Sequence, residues 1–241
     1  MIKIAMTSTL RRLSTFLLLL AVTGSLGLAR EVRAIYFSGH GGPLASVYLV
    51  GEEVEVELEL PQRNLSPAVE IPKGELYLAA LPKPPASLEE IPQGAPKIRI
   101  PEAWQRCVLM FISDPDNPVF PARVIPINGG GEDFPKGSTR IYNISKYTVG
   151  GKFNELGVVI EPGKSATFGA PIQEFGSYPV AIDFIAKGDS KPTALFRSHW
   201  PHDPEARQIL FVVPQVGKAR PRIWGVRDHG WSKEPAPEKK R

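Results

Sequence analysis

The chain of 241 residues contains one cysteine, Cys107. A single thiol closes no intrachain disulfide, so stability must come from core burial. It sits in the apolar run Cys107-Val108-Leu109-Met110-Phe111-Ile112, which predicts a buried, inert thiol. No Gly-x-Ser-x-Gly turn is present, so the serine nucleophile elbow is excluded. Gly163-Lys164-Ser165 ends like a phosphate loop, but Val158 stands where that motif needs its first glycine. A blue-copper site fails because no histidine follows Cys107 until His199. Helix signals are sparse: only residues 86–91 and 203–207 have the pattern of a helical turn. Together these absences leave no cofactor to assign and no recognisable catalytic constellation, and the chain reads as a non-enzyme.

Charge of either sign is also lacking in excess. The first 29 residues hold three of the 29 basic residues and none of the 25 acidic ones, which leaves +1 on the rest. A body so close to neutral does not recommend nucleic acid as a partner.

What is present begins with an address. Lys3, Arg11 and Arg12 precede an apolar run over residues 13–28, and Gly27-Leu28-Ala29 places small residues where a signal peptidase reads. This predicts a signal peptide over 1–29, cleaved after Ala29. The run is short and is followed at once by Arg30, Glu31 and Arg33, so no stable membrane span is expected after cleavage. The mature chain is expected to be exported, to the periplasm or beyond the cell.

The mature chain has the punctuation of an all-β protein. Twenty-five prolines and 22 glycines separate short apolar runs, the pattern of many strands joined by turns. Residues 53–60, EVEVELEL, alternate most cleanly. Val54, Val56, Leu58 and Leu60 define a buried face, and Glu53, Glu55, Glu57 and Glu59 a solvated one. Lys97-Ile98-Arg99-Ile100 repeats the alternation with the opposite charge, so these two strands are expected to be neighbours in one sheet. Further strands are expected at 34–38, 46–50, 75–80, 107–112, 123–128, 139–145, 158–161, 165–169, 180–186, 194–199, 208–213 and 222–226. Glu161-Pro162-Gly163-Lys164 has the composition of a type II turn, and Lys187-Gly188-Asp189-Ser190 that of a hairpin tip.

Two segments echo. Ile71-Pro72-Lys73-Gly74 resembles Phe134-Pro135-Lys136-Gly137, each ahead of a strand. Val108 to Ile112, followed by Pro121-Ala122-Arg123-Val124-Ile125, resembles Ile209 to Val213, followed by Arg220-Pro221-Arg222-Ile223-Trp224. The expectation is an antiparallel β-sandwich with two related Ig-like units in tandem, over 30–128 and 129–230, joined near Asn128-Gly129-Gly130-Gly131. A charged, proline-rich tail, 231–241, follows and is expected to be disordered.

The densest chemistry lies in Ser198-His199-Trp200-Pro201-His202-Asp203-Pro204-Glu205-Ala206-Arg207. His199, His202 and Asp203 are the candidate metal ligands. Pro201 and Pro204 exclude a regular helix there. The structural alternative is a strand ending in a proline-fixed loop, Asp203 capping a turn and Arg207 holding a carboxylate. Trp104, Trp200 and Trp224 are expected to anchor cores, and two exposed, coplanar aromatics would instead mark a carbohydrate-binding module. Ser38-Gly39-His40-Gly41-Gly42 reads as a plain loop, and Asn143-Ile144-Ser145 is a glycosylation sequon.

Phe134-Pro135-Lys136-Gly137-Ser138, Tyr142-Asn143-Ile144-Ser145, Val149-Gly150-Gly151-Lys152, Glu161-Pro162-Gly163, His202-Asp203-Pro204-Glu205-Ala206-Arg207 and residues 208–213 together resemble a family of uncharacterised secreted bacterial β-sandwich proteins. The resemblance implies an exported, mostly β protein and no catalytic residues. The leading functional expectation is a non-enzymatic module binding a protein or an envelope polysaccharide. The alternatives are a carbohydrate-binding module and a metal-dependent or acid/base hydrolase using the His199–Asp203 segment.

Overall fold

The computed structural model describes residues 29–38, 42–130, 134–186, 188–189, 191–215 and 217–229. The expected signal peptide (apart from Ala29), most of the Ser38–Gly42 loop and the 231–241 tail lie outside the described residues. Among the described residues no helix is long and apolar enough to cross a membrane.

The chain is all-β. The first eight strands are β1 (Arg30–Phe37), β2 (Ser46–Gly51), β3 (Val54–Glu59), β4 (Val69–Ile71), β5 (Leu76–Leu81), β6 (Lys97–Ile100), β7 (Arg106–Ser113) and β8 (Ala122–Asn128). The next eight are β9 (Thr139–Asn143), β10 (Thr148–Phe153), β11 (Leu156–Ile160), β12 (Ser165–Phe168), β13 (Gly176–Ile185), β14 (Thr193–His202), β15 (Arg207–Val213) and β16 (Arg222–Asp228). Among the described residues one 3-10 turn, Leu88–Glu90, falls where the 86–91 signal lies.

Four four-stranded sheets result. A first outer sheet has the order β3-β2-β5-β6 and a first inner sheet β4-β1-β7-β8. The second inner sheet has the order β12-β9-β15-β16 and the second outer sheet β11-β10-β13-β14. Adding eight to each strand number of the first pair gives the second pair. The one parallel pairing in each half also recurs: β1 with β7, and β9 with β15. An immunoglobulin constant-type sandwich divides seven strands four and three; here eight divide four and four in each half.

Both echoes have a physical basis, but only one marks equivalent strands. Residues 108–125 and 209–224 fall on β7–β8 and on β15–β16, the same positions in the two halves. The Pro-Lys-Gly echo does not correspond: one copy joins β4 to β5, and the other leads into β9. Its glycines share a conformation instead, with φ of 99° at Gly74 and 75° at Gly137. The same turn chemistry was used at two unrelated places.

Strand patterning explains the layering. On β1, Val32, Ala34 and Tyr36 pack toward the first outer sheet, while Ile35 and Phe37 pack the other way. On β7, Cys107, Leu109 and Phe111 join the first core, and Val108 and Met110 the second. Such strands read as unbroken apolar runs because both faces are covered. β15 repeats the arrangement: Leu210 and Val212 face the second sandwich core, and Ile209, Phe211 and Val213 face the first inner sheet. The two inner sheets therefore pack on each other, with Phe37 edge-on to Phe211 and to Trp224, both at 5.3 Å between ring centroids.

The alternating glutamates behave as expected within β3, where Glu55, Glu57 and Glu59 are exposed and Val54 and Leu58 buried. Their expected neighbour is wrong. β3 and β6 share a sheet but form its opposite edges. The partner of β3 is β2, and Ser46 donates a 2.6 Å hydrogen bond to Glu57 Oε1. The basic residue of β6, Arg99, pairs with Glu75 instead, at 2.5 Å. An edge strand with one solvated face separates its charges by water, so neighbour choice fell to the apolar face and the turns.

The turn at Glu161-Pro162-Gly163-Lys164 forms as read, with φ of 75° at Gly163 and Lys164 N donating to Glu161 O. No phosphate site follows it, because the chain continues into strand β12.

A cationic cleft between two sheet edges

The segment singled out for its histidines is the end of β14, which runs through Pro201 to His202. An edge strand tolerates the proline, because one side of its backbone needs no ladder partner. His199 is exposed and sits opposite Pro179, whereas His202 is buried and sits opposite Gly176. Three positions apart on a strand, the two imidazoles lie on opposite faces. Asp203 Oδ1 accepts a hydrogen bond from Glu205 N at 2.9 Å, capping the turn. Arg207 holds the Asp228 carboxylate at 2.5 Å. Among the described residues no group of three His, Cys, Asp or Glu side chains is placed to hold a metal ion. His202 packs edge-on to Tyr178 at 6.3 Å. Burial holds its pKa below the ordinary value, with Asp203 acting weakly in the opposite direction, and its Nε2 has no hydrogen-bond partner.

Cys107 is wholly buried, and that burial pushes its thiol up to about 12. A thiol so placed is neither nucleophile nor ligand at neutral pH. Asn143 is buried too, its Nδ2 donating to Tyr147 O and Ile160 O, so the folded sequon presents no amide for modification.

A concave surface of different chemistry lies elsewhere. A cleft of about 630 Å³ separates β14, the edge of the second outer sheet, from β16, the edge of the second inner sheet. Its apolar wall is Leu195, Phe196, Trp200 and Pro201 on one side and Ile223 on the other. Four cations line it: Lys218, Arg220, Arg222 and Arg227. All four are exposed, none forms an ion pair with a described residue, and no carboxylate lines the cleft among the described residues. The nearest acid in sequence, Asp228, is turned into the layer between the sandwiches, where Arg207 and Arg33 hold it.

Aromatic geometry narrows what the cleft can stack. Trp200 lies 5.2 Å from Phe196 at an interplanar angle of 50°, and 5.8 Å from Phe153 at 52°. These rings do not form a flat platform. Trp200 is partly buried against the second sandwich core, Trp104 against the first and Trp224 against the layer between them, which is the anchoring role read from the sequence.

Sequence reading passed over these cations because the near-neutral total conceals them. The signal was present locally: residues 206–227 contain Arg207, Lys218, Arg220, Arg222 and Arg227 and no acid. What could not be read is that β14 faces this stretch and supplies the aromatic wall. No protein-family model matches the chain, and no curated protein matches it in sequence.

Proposed function

We propose that this chain is an exported, non-enzymatic binding protein whose ligand is an extended acidic polysaccharide of the cell envelope, held in the β14–β16 cleft. The observation that carries this reading is a lining that, among the described residues, has no acid and has four cations without an ion-pair partner. Arg222 and Arg227, on opposite faces of the edge strand β16, both line the cleft, and the five-residue step between them spans roughly 17 Å at about 3.3 Å per residue. That length suits several units of a chain better than one small anion. The cations supply charge and register, and Trp200 forms part of the apolar wall beside them. The export signal and the resemblance to secreted proteins support an envelope setting.

The test is retention of the full chain on immobilised polygalacturonate, with neutral dextran as control. Retention on polygalacturonate alone, weakening with added salt, is expected. Reversing two charges, Lys218→Glu with Arg220→Glu, should weaken binding about tenfold, since exposed charges are each worth about 0.2–1 kcal/mol. Equal retention on dextran, or no effect of the reversal, would refute the reading.

A further inference from the structure

A second cavity opens beside the cleft. It encloses about 600 Å³ at one end of the layer between the two inner sheets, within the usual size of a small-molecule site, about 300–1,000 Å³. Its apolar lining comes from both halves of the chain: Phe37 and Ile112 from the first, and Val213, Pro214 and Trp224 from the second. The ends of β1, β7 and β15 and the start of β16 meet here. Gln215 and Arg222 line both this cavity and the cationic cleft, so the two openings adjoin at these residues. At the junction the Arg222 guanidinium lies 4.6 Å over the Trp224 ring, an arrangement that keeps a cation at the edge of an apolar space.

Charge is distributed unevenly around the pair of openings. Besides Arg222, the cavity is lined by Asp114 and Arg123, one of each sign. The cleft side carries Lys218, Arg220 and Arg222 and, among the described residues, no acid. The excess of cations favours an anionic group on the cleft side, and the cavity walled by Phe37, Ile112, Val213, Pro214 and Trp224 can take an apolar chain. We infer that the adjoining openings bind a single-chain anionic amphiphile, an alkyl phosphate or fatty acid, with its chain between the sandwiches and its head on Arg222 and the neighbouring cations. This rests on the cleft being an anion site and adds a second, apolar requirement to it.

The probe is dodecyl phosphate, titrated calorimetrically into the full chain below its micelle concentration. One molecule per chain is expected. Octyl phosphate should bind roughly 250-fold more weakly, because each of the four CH₂ groups lost from a buried chain costs roughly fourfold in affinity. Inorganic phosphate and dodecyl maltoside should each bind at least about tenfold more weakly than dodecyl phosphate, since each lacks one of the two requirements. Ser113→Trp, which fills the cavity from its wall, should abolish dodecyl phosphate binding and leave polygalacturonate retention intact. Should that variant fail to fold, a chain-brominated probe provides a second readout. It should quench tryptophan emission in the unaltered protein and much less in Trp224→Phe.

Several results would overturn the inference. Equal affinity for the octyl and dodecyl probes would remove the apolar cavity as a site and leave the polymer reading standing. Equal binding of dodecyl maltoside would remove the anionic requirement. Retention on phosphatidylglycerol vesicles without monomer binding would replace the amphiphile by a membrane surface. Loss of both dodecyl phosphate and polygalacturonate binding would remove this inference together with the proposed function.

Discussion

Asp228 is the residue whose change should loosen the fold most for the fewest atoms altered. Its side chain is fully buried at the end of β16 and is held by Arg207 of β15 at 2.5 Å and by Arg33 of β1 at 3.6 Å. One carboxylate thus compensates two guanidiniums, one from each half of the chain, with side chains only 8% and 19% exposed. Asp228→Asn keeps the shape and removes the charge. It removes the carboxylate charge that both guanidiniums face in a buried, low-dielectric layer, at a cost of about 3–5 kcal/mol. For a chain of this size that lowers the melting temperature by about 6–20 °C. The control is Asp183→Asn. Asp183 meets Arg197 at the same 2.5 Å, but the two side chains are 33% and 50% exposed, so solvent screening limits its loss to under about 1 kcal/mol. Thermal unfolding followed by circular dichroism compares the two variants directly. Repeating it in 1 M salt should shrink the small effect and leave most of the large one, because buried pairs are poorly screened. Similar losses for the two variants would refute the argument that burial, and not contact distance, sets the value of these pairs.

Three further outcomes are expected. Cys107, with a thiol raised to about 12 by burial, should be unreactive toward a disulfide reagent at pH 8 in the folded protein. It should react fully in denaturant, and stoichiometric labelling of the folded protein within minutes would contradict the packing. His202 has a folded pKa below its unfolded value because burial disfavours its charge. The unfolded chain therefore takes up that proton first as pH falls through about 6.5, and stability declines between about pH 7 and 5. Melting curves across this range should flatten in His202→Phe and keep their slope in His199→Phe. Gly51 and Gly150 should respond oppositely to alanine. At Gly51 the new Cβ would lie 2.8 Å from the Tyr77 carbonyl oxygen and 2.7 Å from Leu78 Cδ2, costing about 1–3 kcal/mol. At Gly150 it meets nothing within 4 Å, and the lost backbone entropy of the unfolded chain should stabilise by about 0.4–1 kcal/mol.

Strands were legible where one period dominated. β3 shows its alternation openly, and β7 and β15 show the unbroken runs of doubly covered strands. β10 was passed over because Gly150 and Gly151 dilute its pattern. Gly151 belongs there because a Cβ would lie 2.6 Å from the Phe153 ring, a requirement visible only once the ring is placed. β4, three residues long, is too short to carry a period at all.

The sequence alone determined the all-β architecture, the turn at Gly163 and the inertness of Cys107. Each follows from side-chain period or local turn chemistry within a few residues. It also held, in residues 108–125 and 209–224, the one echo that falls on equivalent strands. Tertiary structure decided everything that depends on pairing distant strands. It set β3 and β6 at opposite edges, and it put His199 and His202 on opposite faces of an edge strand. It brought Trp200 of β14 across from the cations of residues 218–227, and it turned Asp228 away from them into the layer between the sandwiches. Charge along a chain says little about charge around a cavity, because a strand sends alternate side chains to opposite sides and the sheet order chooses which strands meet.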